Sequence, residues 1–148
     1  MEFLLALEST GVAAFLRSSR WLYPLINAGH ILGIALLVGT ILPLDLHRLG
    51  AWRGVPAEAL ERVLTQTALA GFGLAVVTGA LLFTVSATDY ASLDIFLAKI
   101  AVVVAGVVNA LVASRRLRQG RPIAVPAAVS LCLWLTALGL GRFIGYQL

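Results

Sequence analysis

Charge is what this sequence has least of. Only 12% of its 148 residues are Asp, Glu, Lys or Arg, where a soluble domain carries roughly a quarter. That scarcity excludes a surface covered by water all round, and the 60% of hydrophobic residues must face lipid instead. Cysteine is nearly missing too. With Cys132 alone, a disulfide within the chain is impossible and a thiolate metal cluster cannot form, so Cys132 is expected as a small buried apolar residue. Methionine occurs once, at Met1, which leaves soft Cu(I) without its preferred sulfur ligands. No glycine-rich phosphate loop is present, and serine, histidine and carboxylate do not converge on one side. The first twenty residues lack a basic patch and a small-residue cleavage site, with Glu2 and Glu8 where lysines would stand, and they read as a retained amino terminus.

What is present is apolar length. Between Leu25 and Leu44 only Asn27, His30 and Thr40 are polar, and at ~1.5 Å per residue this stretch covers the ~30 Å hydrocarbon core of a bilayer. Three further stretches qualify. The spacing predicts an all-α fold, one domain over residues 1–148, made of a four-transmembrane-helix bundle with spans of about 21–46, 63–87, 95–113 and 123–144. Residues 1–20 precede it as an amphipathic interfacial helix with a break near Gly11. Trp21 and Tyr23 anchor its end at headgroup level. Gly71, Gly73, Gly79 and Ala80 offer the second span a close-packing face, and Gly139, Gly141 and Gly145 do the same for the fourth.

The net charge of +4 does not point to nucleic acid, because the positive residues are grouped in loops beside the spans. Arg48, Arg53 and Arg62 lie between spans one and two, Arg115, Arg116, Arg118 and Arg121 between spans three and four, and none between spans two and three. The positive-inside rule then places both termini outside a bacterial inner membrane. Glu58 and Arg62, four apart, can pair, as can Asp45 and Arg48.

The polar residues inside the spans are the functional candidates. Tyr23, Asn27 and His30 share one stripe of the first span, and Lys99 and Arg142 lie in the outer third of the third and fourth. One cavity can gather the last three, with two cations nearer the surface than the imidazole. That layout suits haem b or another porphyrin: imidazole on the iron, Lys99 and Arg142 near the propionates. His47 sits at the opposite end of its span, so one chain offers a single intramembrane histidine, and five-coordinate iron, a non-histidine second ligand or a homo-oligomer sharing His30 follows. His30 is equally the one candidate metal ligand. Plainer readings stand beside these: His30 and Asn27 as interhelical hydrogen-bond partners, Lys99 and Arg142 as snorkelling or ion-paired residues, Asn109 as a packing hydrogen bond, and the whole chain as a non-catalytic subunit or transport accessory of a larger membrane complex.

The strings WLYPLINAGHILGIALLVGTILPLDLHRLG, GFGLAVVTGALLF, FLAKIAVVVAGVVNALV and GRFIGY resemble, over nearly the whole chain, a family of uncharacterised bacterial four-span integral membrane proteins, a domain of unknown function. The matching positions are His30, Gly39, Asp45, Leu49, Gly50, Lys99, Asn109 and Arg142. The chain departs from that pattern at Leu46-His47-Arg48, where the family reads leucine, arginine, leucine, and at Ala113 and Ser114, where a histidine often follows the asparagine. In layout alone, the early histidine, glycine-rich first span and lysine opening the third span are similar to the J-type protoporphyrinogen oxidase and the copper-resistance D membrane proteins. That similarity implies porphyrin or copper handling.

Overall fold

The computed structural model describes residues 2–147, all of its regular structure helical. Seven helices follow in order: α1 Glu2–Glu8, α2 Gly11–Ser18, α3 Leu22–Arg48, α4 Ala57–Val85, α5 Ala87–Ser92, α6 Asp94–Arg118 and α7 Ala124–Ile144. α3, α4, α6 and α7 are each long and apolar enough to cross a bilayer, and together they form an all-α bundle.

Three of the long helices run past an expected boundary for physical reasons, while α7 lies within its expected span. α3 continues through Pro43 to Arg48, because a missing N–H is tolerated where the rest of the helix holds. The residues after Pro56, Glu58 and Arg62 among them, form one continuous helix with the second span, so α4 starts at Ala57. α6 runs on through its arginines to Arg118, where cations favour the negative end of the helix dipole. Both α3 and α6 stop in the same way. After α3, the Gly50 and Ala51 N–H groups donate to the His47 and Leu46 carbonyls, and after α6 those of Gly120 and Arg121 donate to Leu117 and Arg116. This Schellman pattern needs a left-handed residue, supplied by Gly50 (φ 102°) and Gly120 (φ 64°).

Around the bundle the order is α4, α3, α7, α6. α3 and α4 form the tightest pair, α6 and α7 the next, and α3 meets α7 along the seam between the pairs. The α3–α4 contact is backbone on backbone. A Cβ on Gly33 would stand 2.6 Å from the Ala75 nitrogen, and one on Gly71 would stand 2.7 Å from the Leu37 nitrogen, so small residues set this interaxial distance. Gly73 and Gly139 face open space and take no part in such packing. At the centre, Trp134 of α7 lies on Gly106 of α6 and meets Phe72 of α4 edge to face, with centroids 6.3 Å apart, beside Leu37 and Ala68.

The fourth side of the bundle is different. Among the described residues the backbones of α4 and α6 do not approach each other. Side chains bridge them instead: Phe83 stacks on Phe96 with centroids 5.5 Å apart, and Tyr90 of α5 closes on both rings. The short loop between the second and third spans thus contains a helix of its own.

The amino-terminal segment breaks just before Gly11, next to the expected position, and its two helices are docked on the bundle. Thr10 caps α2 through the Ala13 N–H. Ala13 and Leu16 are buried, with α2 packed on α4 and α1 on α5. Arg17 donates to the Val85 carbonyl at 3.1 Å and the Glu8 carbonyl at 2.6 Å. The Glu8 carboxylate accepts from the Thr88 N–H and hydroxyl, both at 2.7 Å. One residue satisfies the last turn of α4 and the other the first turn of α5. Cys132, expected inside, is exposed on α7, where an apolar thiol meets lipid without cost.

Candidate functional site

His30 lies a little over two turns into α3, against α4. Its Nδ1 is 2.9 Å from the Ala75 carbonyl oxygen and 3.2 Å from the Thr78 hydroxyl. The Thr78 hydroxyl donates to the Leu74 carbonyl at 2.6 Å, and a carbonyl can only accept, so Nδ1 carries the proton and Nε2 presents a lone pair. A backbone carbonyl on the far nitrogen of an imidazole is the arrangement that orients histidine ligands in metalloproteins. The ring is seated on Gly79. A Cβ there would stand 2.9 Å from the imidazole Cε1, so no larger residue leaves the ring where it is.

Lys99 has a similar seat. Its stem crosses from α6 to α7 and lies over Gly141, where a Cβ would meet Nζ at 3.3 Å and Cε at 3.4 Å. It is partly buried and makes no ion pair among the described residues. Lys99 is also the charged group that acts on His30. His30 and Lys99 thus lie at the same end of the bundle, the one closed by α5, each on a glycine of the neighbouring helix.

The other expected members of the site lie apart from this pair. Arg142 is exposed, donates to the Tyr146 hydroxyl at 3.1 Å and stacks its guanidinium 4.8 Å over that ring. A partner four residues on outcompetes a distant cavity. Asn27, one turn before His30 on the same stripe of α3, is exposed. Tyr23 turns toward Tyr90 of α5. Burial first, and then the facing Tyr23, push the Tyr90 phenol above its usual range. Asn109 bonds the Pro126 carbonyl at 2.9 Å, linking α6 to α7 as a packing bond does.

At the opposite end lies a network that sequence spacing only half predicts. Arg48 does reach Asp45, at 3.3 Å, but its stronger partner is Glu61 of α4, held bidentately at 2.8 and 3.0 Å. Glu58 and Arg62 form no ion pair among the described residues. No group of three His, Cys, Asp or Glu side chains able to hold a metal ion occurs among the described residues. Comparison with protein-family models, curated proteins and solved structures finds no match, so the reading of the site rests on its geometry.

Proposed function

We propose that this chain is a small integral membrane protein that binds haem b or a related porphyrin in the half of the bundle containing His30, and that it serves as a redox or electron-transfer subunit. The observation that carries the reading is the His30 imidazole, fixed through Nδ1 by the Ala75 carbonyl with its Nε2 lone pair free. Lys99 supplies a cation for a propionate. The Phe83, Tyr90 and Phe96 rings, clustered between α4, α5 and α6, supply aromatic surface of the kind a flat macrocycle packs against.

Bound haem would supply one-electron chemistry. The chain's own residues hold the imidazole orientation, neutralise a carboxylate and exclude water. A single histidine fits five-coordinate iron, or a pair of chains sharing one cofactor. The distribution of arginines supports an orientation with this half of the bundle and both termini outside a bacterial inner membrane.

The test is the visible absorption spectrum of the detergent-purified protein from haem-sufficient cells, oxidised and dithionite-reduced, beside His30→Ala. The reading predicts a Soret band that shifts on reduction and is missing from the variant. A colourless protein that stays colourless when haem is added, with the variant equally stable, overturns it in favour of a packing role within a larger complex.

A further inference from the structure

The second ionisable centre of the bundle sits at the end away from His30, and it has no role in the reading above. Asp45 is 1% exposed, one turn before the end of α3. Its Oδ1 accepts a single long bond from Arg48, at 3.3 Å. Its Oδ2 makes no hydrogen bond of proper geometry, although the Ser130 hydroxyl of α7 stands beside the carboxyl. The Arg48 fork is taken by Glu61, which receives Nε and the second amino group at 2.8 and 3.0 Å. Two carboxylates thus share one cation. If both are ionised the triad holds one uncompensated negative charge, shared by a buried carboxylate whose Oδ2 has no hydrogen bond of proper geometry and only the neutral Ser130 hydroxyl beside it, an arrangement folded proteins avoid.

Among the described residues no further ion pair reaches Asp45 or Glu61, and Arg62 of α4 is exposed. From α3 itself, His47 is turned away to the Val55 carbonyl at 3.1 Å. From α4, Glu61 adds negative charge and Glu58 lies across the adjoining cavity. From α7, the facing group is the neutral Ser130, and that helix's one charged side chain, Arg142, is at its far end. The arginines of α6, at 115, 116 and 118, are exposed.

We propose that Asp45 is a reversible proton-binding site, loaded from the side of the α3–α4 and α6–α7 loops. A proton on Oδ2 makes that atom a donor, gives it Ser130 Oγ as an acceptor and brings the triad to zero net charge. The route is on the same side. A cavity of about 550 Å³ is lined by His47, Arg48, Glu58 and Glu61, and Arg48 and Glu61 separate it from Asp45. The step is an acid–base equilibrium: one O–H bond forms at Oδ2, the proton comes from cavity water or buffer, and no electrons are transferred. This assignment does not depend on the porphyrin reading.

The test is infrared difference spectroscopy of the full chain in lipid nanodiscs, stepped in pH from mildly acid to mildly alkaline. The parent should show the C=O stretch of a protonated carboxylic acid that bleaches on alkalinisation. The band should be lost in Asp45→Asn and kept in His30→Ala and Glu58→Gln. In Glu61→Gln, Arg48 is released to Asp45, and the band should disappear because Asp45 then ionises. Asp45→Asn, a neutral isostere of the protonated acid, should keep the parent's thermal midpoint. Absence of the band at every pH where the protein is folded overturns the proposal, as does its survival in Asp45→Asn or in Glu61→Gln. Failure of Asp45→Asn to fold also overturns it, since the charged form would then be the one the fold requires.

Discussion

Adding one methyl group at Gly33 tests the α3–α4 contact on which the His30 seat depends. The new Cβ would meet the Ala75 nitrogen at 2.6 Å, the Gly71 carbonyl oxygen at 2.9 Å and the Ala75 Cα at 3.0 Å. All three are backbone atoms, so no side chain can swing aside and the helices must part. Overpacking of this kind costs about 1–3 kcal/mol, against a gain of at most about 1 kcal/mol for replacing a helical glycine by alanine. Gly33→Ala should therefore destabilise the protein by up to about 2 kcal/mol. Gly39→Ala, in the same helix with nothing within 4 Å of its Cβ position, should be neutral or stabilising by up to about 1 kcal/mol. Reversible unfolding in mixed detergent micelles, followed by far-ultraviolet circular dichroism, measures both. Because parting the helices also lengthens the bond from His30 to Ala75, the first variant should lose pigment in proportion and the second should not. Equal stabilities for the two variants would refute the backbone-to-backbone contact.

Three other outcomes follow from the same packing. Gly79→Ala puts a methyl group 2.9 Å from the His30 ring, a movable side chain, so it should leave the unfolding midpoint within about 1 kcal/mol of the parent while abolishing or shifting the Soret band. Gly141→Val should evict Lys99 from its seat and weaken porphyrin binding without removing the axial ligand, which a haem titration separates from the effect of His30→Ala. Hydrogen bonds from Thr88, first its N–H and then its hydroxyl, hold the Glu8 carboxyl below the usual carboxylate range. The docking of α1 and α2 that these bonds support is fully present above the unfolded carboxylate value and is lost as pH falls through the lower folded one. Limited proteolysis after Arg17 should accelerate over that acid window, and Glu8→Gln should show the faster cleavage at neutral pH.

The long helices were legible because apolar length needs no tertiary information: α3, α4, α6 and α7 each overlap their expected span. Their ends were less so, since Glu58, Arg62 and the α6 arginines look like loop residues but continue a helix once its apolar part is formed. His30 and Lys99 stood out as costly residues in apolar runs. Their seats did not, because Gly79 and Gly141 look like helix-packing glycines until the opposing side chain is known. Arg142 was drawn to Tyr146, a local stacking partner that helical spacing could have suggested. The Arg48–Glu61 pair joins residues 13 apart in different helices, and only the fold brings them together. The docking of the amino-terminal segment was hidden for the same reason: Glu8 meets Thr88 across 80 residues.

The most direct trial of the central claim is ligand rescue. His30→Gly, purified and supplied with haem, should lack the Soret band of the parent, and added imidazole should restore it, with the reduced-minus-oxidised difference returning at the same time. If the glycine variant keeps the parent's spectrum, or if the parent itself takes up no haem, His30 is not an axial ligand and the bundle is held together by that histidine for another purpose.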